Sequence, residues 1–268
     1  MSVRVGQFAG LDAVQKVANT LGISQNVPHG PATYIGSFET DLKDLTAAYS
    51  VFPNAGVRKQ SYIIERIDDA NHKPVYRAAH ITVPALDPGA AWMTSQLMED
   101  VLTRGTASNS RSLGFRLSAA GKTGTTNDYK DAWFMGYTST LTCGVWVGFD
   151  QPTTIVSRGY GAALALPVWT QVMNKASQHY PAEELHPTMP IQHATVCSIS
   201  NQLATTGCMS AGSAYDIDLP ADKVPSTACQ VHGGQQWPFA QQLQGVPQKA
   251  FSLPGRMFKS FRKFFGGR

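Results

Sequence analysis

The sequence predicts a mixed α/β fold, because helical and strand-like segments alternate along most of its length. Apolar residues recur every three or four positions over residues 11–21 and 91–102, which is the spacing of one buried helical face. Residues 131–138 and 141–150 are rich in aromatic and β-branched side chains and are separated by a tight turn, as in a hairpin of antiparallel strands. From about residue 180 prolines become frequent and periodic segments few, which indicates a second, loop-rich part.

The predicted helices are bounded by start and stop signals. The first predicted helix covers residues 11–21. The second predicted helix covers residues 40–52 and is stopped by the turn at residues 53–56. The third begins at Asp87-Pro88, because proline is favoured at the first helical position. Its apolar stripe is predicted to be buried up to Leu102 and to include Leu97. The fourth covers residues 162–176, and we expect Pro167 to begin or kink it.

Strand signals fall between these helices. Residues 62–67 predict a strand, residues 68–73 a turn and residues 75–77 the returning strand. Residues 117–120 predict a short strand that leads into a Lys-Thr-Gly triplet.

That triplet, Lys122-Thr123-Gly124, carries the clearest chemical signal. Lys122 supplies a positive charge, and the hydroxyls of Thr123 and Thr125 supply short, directional donors. Gly124 has no side chain, so a substrate can approach the backbone closely. These groups are suited to holding a carboxylate beside a reacting acyl group.

The triplet and its flanks resemble the transpeptidase domain of class A penicillin-binding proteins, the bifunctional peptidoglycan synthases. The strings that match in order and spacing are Arg104-Gly105-Thr106-Ala107, Lys122-Thr123-Gly124-Thr125, Asp131-Ala-Trp-Phe-Met-Gly-Tyr-Thr138 and Gly144-Val-Trp-Val-Gly148. The resemblance covers residues 1–180 well and the cysteine-bearing residues 197–229 more loosely. An accidental Lys-Thr-Gly in an unrelated strand is the alternative, and the flanks argue against it.

The resemblance implies the fold of serine β-lactamases, an antiparallel sheet with packed helices, here truncated at its N-terminal side. It implies a D,D-transpeptidase that acts on peptidoglycan stem peptides ending in D-Ala-D-Ala, that β-lactams acylate, and that requires no cofactor. By the same resemblance Lys122 supports proton transfer, and Thr123 and Thr125 hold the terminal carboxylate. The backbone N–H of Thr125 is then one of two oxyanion donors.

Two further motifs of this family have no convincing counterpart here. The Ser-x-x-Lys string Ser260-Phe-Arg-Lys263 follows Lys-Thr-Gly, whereas the nucleophile of the family precedes it. We interpret this string and the Ser-x-Asn string Ser24-Gln-Asn26 as accidental. Family members typically place Ser-x-Asn a few residues before a stretch like Val3-Arg-Val-Gly6, so we expect the chain to start just after that motif.

Two alternatives to a transpeptidase fragment stay open. A stand-alone serine β-lactamase or D,D-carboxypeptidase uses the same triplet. A non-catalytic remnant would keep the fold and a binding role without the nucleophile, because an acyl transfer of this type needs an activated serine.

The cysteines have two interpretations. C-terminal segments with paired cysteines occur in many class A enzymes, so the resemblance suggests a disulfide that joins Cys197 to Cys208. Metal binding is the rival interpretation; it is disfavoured because no Cys-x-x-Cys pair is present and His193 and His232 are isolated, so no metal is expected. Cys143 lies between apolar neighbours and is predicted to be a buried free thiol.

We expect three parts: residues 1–180 from the transpeptidase domain, 181–235 as a cysteine-containing appendage, and 236–268 as a linker and basic aromatic tail. The net charge of +4 suits contact with an anionic membrane surface and ordinary solubility about equally. The basic aromatic tail could also contact such a surface, but a disordered solubilising tail is slightly favoured, because a short helix is marginal alone in water. No nucleic-acid motif is visible. The sequence shows no secretory signal or membrane anchor, whereas intact family members are anchored outside the cytoplasm, in the periplasm of bacteria that have one.

The first prediction concerns the chain as it stands. We expect no covalent labelling by a fluorescent penicillin, since no Ser-x-x-Lys string precedes Lys-Thr-Gly. Gel fluorescence of the purified chain is the measurement. A labelled band that disappears in Ser24→Ala or Ser260→Ala would show that one of these serines is a nucleophile.

Overall fold

The computed structural model describes residues 2–23 and 27–235. The chain divides into two compact units, Met1–His186 and Pro187–Arg268. The Ser24-Gln-Asn26 string, the Ser260-Phe-Arg-Lys263 string and the predicted tail lie outside the described residues.

The first unit contains five α-helices and seven short strands among the described residues. The helices are α1 (Ser2–Ala9), α2 (Leu11–Thr20), α3 (Leu42–Tyr49), α4 (Pro88–Thr103) and α5 (Gly161–Ala176). The strands are β1 (Val57–Lys59), β2 (Arg66–Asp68), β3 (Pro74–Arg77), β4 (Thr82–Pro84), β5 (Ala120–Thr125), β6 (Asp131–Tyr137) and β7 (Thr142–Gly148). Single 3-10 turns cover Pro31–Ile35, Ser108–Arg111 and Asn127–Tyr129.

A three-stranded antiparallel sheet in the order β5-β6-β7 forms the centre of this unit. The β5–β6 register places Lys122 opposite Met135, Thr123 opposite Phe134 and Gly124 opposite Trp133. The antiparallel sheet with packed helices therefore confirms the predicted fold class. The strands β1 to β4 form two separate two-stranded pairs, β1 with β4 and β2 with β3.

Helix α5 covers one face of the sheet through a tryptophan. The side chain of Trp169 is fully buried, and its ring centroid lies 4.9 Å from the rings of both Phe115 and Phe134. The indole N–H donates to the Cys143 carbonyl at 3.2 Å, which satisfies the ring's one polar group. Pro167 lies inside α5 instead of at its start, so the helix begins six residues earlier than that proline, at Gly161.

Helices α3 and α4 pack against the opposite face. Met98, Ala120 and Tyr137 form a buried cluster there, and the Tyr137 hydroxyl lies 2.7 Å from the Ser95 hydroxyl. A Cβ added at Gly144 would lie 2.3 Å from the Thr46 hydroxyl oxygen, so this glycine allows α3 to approach β7 closely.

Several predicted elements are confirmed, two strands are placed differently, and one buried helical face is narrower than predicted. Asp87 caps α4 by accepting the Ala90 N–H at 3.0 Å, as its position before proline indicated. The predicted lead-in strand at 117–120 is wrong, because β5 starts at Ala120 and contains the triplet itself. Leu97 is 52% exposed, so the stripe of α4 is narrower than predicted. The strand predicted at 62–67 forms only from Arg66.

The second unit contains more regular structure than its prolines indicate. Strands β8 (Ile191–Cys197) and β9 (Ala214–Pro220) pair antiparallel, with Cys197 opposite Ala214. Between them lies the short helix α6 (Thr206–Ser210), which the Thr205 hydroxyl caps.

Across residues 2–23 and 27–235, every helix is too short or too polar to serve as a membrane span.

The start of α5 generates a prediction. A Cβ on Gly161 would lie 2.4 Å from the Trp133 carbonyl oxygen and 2.6 Å from that of Gly124, and neither backbone atom can move cheaply. We expect Gly161→Ala to cost roughly 1–3 kcal/mol of unfolding free energy through overpacking. Chemical denaturation measures it. Gly30→Ala is the matched control, since nothing lies within 4 Å of its added Cβ; equal losses in both variants would contradict the close approach.

A partly buried carboxyl on α4 generates a third prediction. Burial, followed by the charges of Asp100 and Glu184, raises the pKa of Glu99 to about 7. The folded chain then holds a proton that the unfolded chain releases near pH 4.5, so stability falls as pH rises from there to about 7. We expect Glu99→Gln to stabilise the protein by roughly 1–2 kcal/mol at pH 8 and by little at pH 5. Melting curves at both pH values test this. Glu39→Gln, which changes an exposed glutamate, is the matched control, and a Glu99→Gln gain that is equal at both pH values would refute the prediction.

Candidate active site

The Lys-Thr-Gly triplet lies on an outer strand of the central sheet, among the described residues. Consecutive side chains in β5 alternate between the two faces. Thr123 and Thr125 therefore share the face that α5 covers, and Lys122 and Gly124 the opposite face.

The backbone of β5 presents polar groups on the side away from β6. The Thr126 N–H donates to the Asp131 carbonyl at 3.1 Å, which continues the β5–β6 ladder. Because bonded and non-bonded positions alternate in an antiparallel pair, the N–H and C=O groups of Thr123 and Thr125 point away from β6. Donors and acceptors thus line the outer side of the strand.

Lys122 sits beside these outward groups. Its ammonium donates to the Thr123 carbonyl oxygen at 2.7 Å. Although the residue has exposed surface, the protein that surrounds the ammonium partly dehydrates it and lowers the pKa of Lys122 below its usual value. A partly dehydrated cation acts on a nearby anion more strongly than one in bulk water.

Thr106 joins the triplet through a hydroxyl pair. The Thr106 and Thr123 hydroxyl oxygens lie 2.8 Å apart, although the two residues are far apart in sequence. Thr106 follows the end of α4 at a sharp turn, where a Cβ on Gly105 would lie 2.7 Å from the Val101 Cα. The sequence analysis assigns no role to Thr106. The feature that indicates one is the Arg-Gly-Thr-Ala string, in which Thr106 is the third residue.

Thr125 anchors the strand to α5. Its hydroxyl oxygen accepts the Gly161 N–H at 3.0 Å, so one of the free N–H groups at the start of α5 is satisfied by the strand. This contact fixes the side chain of Thr125, while its backbone N–H remains on the outer side of β5.

A glycine at position 124 is also needed for packing, in addition to the close approach of substrate to the backbone that the sequence suggested. A Cβ at this position would lie 3.0 Å from the Cβ of Trp133 on the neighbouring strand. The indole of Trp133 packs against that of Trp146, with the ring centroids 6.1 Å apart. Gly124 therefore makes room for a cross-strand tryptophan pair next to the triplet.

The loop after the triplet is held by one carboxylate. Asp131 accepts the Trp146 indole N–H at 2.8 Å and the Thr126 hydroxyl at 3.2 Å. The Asp131 N–H in turn donates to the Thr126 hydroxyl at 2.7 Å. This reciprocal pair closes the turn that contains Asp128 and Tyr129, both of which have positive φ.

The structure places the remaining predicted residues elsewhere. Cys143 on β7 is a free, partly buried thiol whose pKa burial raises. Cys197 and Cys208 belong to the second unit and are both free, so the structure does not contain the disulfide that the resemblance suggested. Both sulfurs instead approach the ring of His232, at 3.4 and 3.5 Å from Nδ1.

Known proteins of similar sequence are penicillin-binding proteins. Penicillin-binding protein 1A of Neisseria lactamica is 36% identical over 190 residues, which cover 68% of this chain and 24% of that protein. The same-named protein of Rickettsia bellii is 31% identical over 204 residues, 68% of this chain and 26% of that protein. This chain therefore spans about a quarter of the length of these relatives.

Solved structures share the fold. Penicillin-binding protein 1A of Haemophilus influenzae has a TM-score of 0.72 at 21% identity, over 85% of this chain and 39% of that one. The PonA1 protein of Mycobacterium tuberculosis, solved in complex with penicillin V, has a TM-score of 0.55 at 24% identity, over 68% of this chain and 53% of that one.

Residues 3–174 match the family model described as the penicillin binding protein transpeptidase domain, which is more than half of the sequence. This range contains both the sheet and the triplet. The chain belongs to the penicillin-binding protein transpeptidase family.

Proposed function

We propose that this chain supplies the substrate-holding half of a peptidoglycan D,D-transpeptidase site. The observation that carries the proposal is the outer side of β5, where Lys122, Thr123 and Thr125 place a cation, a hydroxyl and outward backbone groups next to one another. The reaction would take place outside the cytoplasm and cross-link stem peptides of the cell wall.

Each residue has a distinct role in this proposal. The Thr123 hydroxyl binds the terminal carboxylate of a D-Ala-D-Ala stem peptide. Its 2.8 Å contact with Thr106 orients that hydroxyl before substrate arrives. The ammonium of Lys122 attracts the same carboxylate and stabilises a proton-transfer network.

The Thr125 N–H is proposed as an oxyanion donor. It points away from β6, and the bond from Gly161 to the Thr125 side chain holds the residue rigidly. Preorganised donors of this kind stabilise the negative charge that develops on a carbonyl oxygen when a nucleophile attacks it.

The resemblance implies the chemistry that these groups would assist. A serine oxygen attacks the penultimate D-Ala carbonyl, the peptide bond breaks, and D-Ala leaves with a proton on its amine. An amine of a second stem peptide then attacks the serine ester, which forms the cross-link and releases the serine. β-Lactams would acylate the same serine, in keeping with the penicillin V complex of the PonA1 protein.

A chimera tests the proposal. Residues 3–174 would replace the matched segment of the Neisseria lactamica relative, so that the relative provides the preceding part of its domain. We expect Lys122→Ala and Thr123→Val each to slow acylation by a chromogenic β-lactam roughly 10²-fold, the usual effect of removing one preorganised group. Stopped-flow absorbance gives the rate constants.

Controls separate the site from its surroundings. Lys130→Ala changes a cation in the loop after β5 and should leave the rate unchanged. Thr106→Val removes only the partner of Thr123 and should cost roughly tenfold or less, the value of one hydrogen bond. Normal acylation in Lys122→Ala together with loss in Lys130→Ala would refute the assignment.

The chimera also distinguishes the alternatives. Rapid turnover of the β-lactam after acylation would favour a β-lactamase or carboxypeptidase. A chimera that folds and binds stem peptide but is never acylated would favour the non-catalytic binding role.

A further inference from the structure

The second unit brings three cysteines and one histidine to a single point. Cys197 is the last residue of β8, Cys208 lies in α6, and Cys229 and His232 follow β9. The cysteines are 0%, 0% and 3% exposed, respectively. Their sulfurs and a ring nitrogen of His232 all lie within 4.8 Å of one another.

Hydrogen bonding does not account for this arrangement. Nδ1 of His232 lies 3.4 Å from the Cys197 sulfur, 3.5 Å from the Cys208 sulfur and 3.5 Å from the Cys229 sulfur. One ring nitrogen can donate one proton or offer one lone pair, so it can bond well to one of the three sulfurs. Three nearly equal distances from the sulfurs to one nitrogen are better explained by an ion that all four atoms could bind.

A tetrahedral metal ion explains the distances. Zinc binds thiolate sulfur at about 2.3 Å and imidazole nitrogen at about 2.0–2.1 Å, which at a tetrahedral angle separates sulfur from nitrogen by about 3.5 Å. We propose that Cys197, Cys208, Cys229 and His232 form a structural zinc site. All four positions are filled by protein, so the ion would stabilise the second unit without a catalytic role.

The backbone around the cluster supports thiolate ligands. The Ile199 N–H lies 3.4 Å from the Cys197 sulfur. A backbone N–H group aimed at a sulfur in this way balances part of the negative charge of a thiolate.

The histidine has a partner for its second nitrogen. Nε2 of His232 lies 3.5 Å from the Ser213 hydroxyl. When Nδ1 binds a metal, Nε2 carries the proton and donates to this hydroxyl, which fixes the ring in the required tautomer.

The size of the unit gives an independent reason for a metal. The core around the cluster consists of the three cysteines, Ala204 and Ala214, none of which is large. The described part of the unit has about fifty residues, a length at which a hydrophobic core alone is marginal and a metal or disulfides often contribute.

A disulfide explains fewer of the observations. It would join two of the three sulfurs, and it would not explain why the third thiol and His232 lie beside them. The approach of all three sulfurs to one nitrogen would then be incidental, whereas a zinc site uses every member of the cluster.

The spacing that matters was present in the sequence. Cys229 and His232 form a Cys-x-x-His pair, which places two ligands on one tight turn in the same way as Cys-x-x-Cys. The expectation of no metal rests on the lack of a Cys-x-x-Cys pair and on the isolated position of His232 in the sequence, whereas the fold brings His232 to the three cysteines.

Metal analysis of the complete chain tests the site. The chain is purified with a phosphine reductant and without chelator, and zinc is measured by plasma mass spectrometry. We expect about one zinc per chain. The metal-free chain should also bind Co²⁺ and show the intense near-ultraviolet charge-transfer band of thiolate ligands.

Matched variants identify the ligands. Cys229→Ala and His232→Ala should weaken zinc binding by more than about tenfold, since even second-shell losses have that effect. Cys143→Ala and His193→Ala change a cysteine and a histidine outside the cluster and should keep the metal. His232→Cys should keep it too, with a stronger cobalt–thiolate band, which separates a lost ligand from a lost fold.

Three results would overturn the proposal. The first is a reduced chain that takes up neither zinc nor cobalt. The second is equal metal loss in Cys143→Ala and Cys229→Ala. The third is a Cys197–Cys208 disulfide, found by peptide mapping after the zinc-loaded chain has been exposed to air, because bound zinc should protect both thiolates.

Discussion

The pairing of β5 with β6 determines where the groups of the candidate site lie. Once Thr126 bonds to Asp131, the alternation of the ladder turns the backbone of Thr125 and Thr123 outward. The same alternation places the threonine side chains against α5 and Lys122 on the other face. A shift of one residue in this register would exchange the faces and would direct the outward groups into the sheet. The chemistry therefore depends on the register more than on any one side chain.

Glycines keep that register in place from both sides. A Cβ on Gly136 would lie 2.7 Å from the Trp169 ring, and one on Gly161 would meet the backbone of β5 and β6. On the opposite face, Gly144 allows α3 to reach β7. Because helices on both faces approach the strands this closely, a sliding strand would have to move large buried side chains such as Trp169. The rigidity that a preorganised site needs thus comes from residues that do no chemistry.

Features that depend on residues close in sequence were predictable, whereas features that depend on contacts between distant parts of the chain were not. The Asp87 cap and the β6–β7 hairpin each involve contacts over a few residues, so composition and spacing reveal them. Thr106 contacts Thr123 only because α4 returns the chain to β5, and no local pattern records that return. The exposure of Leu97 likewise depends on how much of α4 the sheet covers. The family resemblance recovered the fold because it encodes such long-range contacts indirectly.

The two units show different ways of holding a chain together. The first buries Trp169, Phe115 and Phe134 against one another, and large apolar side chains stabilise it in proportion to the area removed from water. The second buries only smaller side chains such as Val196 and Leu203 in the cluster beside β8 and β9, and its other cluster is built around cysteine sulfur. Thiols contribute modestly as hydrophobic groups but strongly as metal ligands. A cluster that is weak as a core and complete as a coordination sphere is best explained by the ion that it would bind.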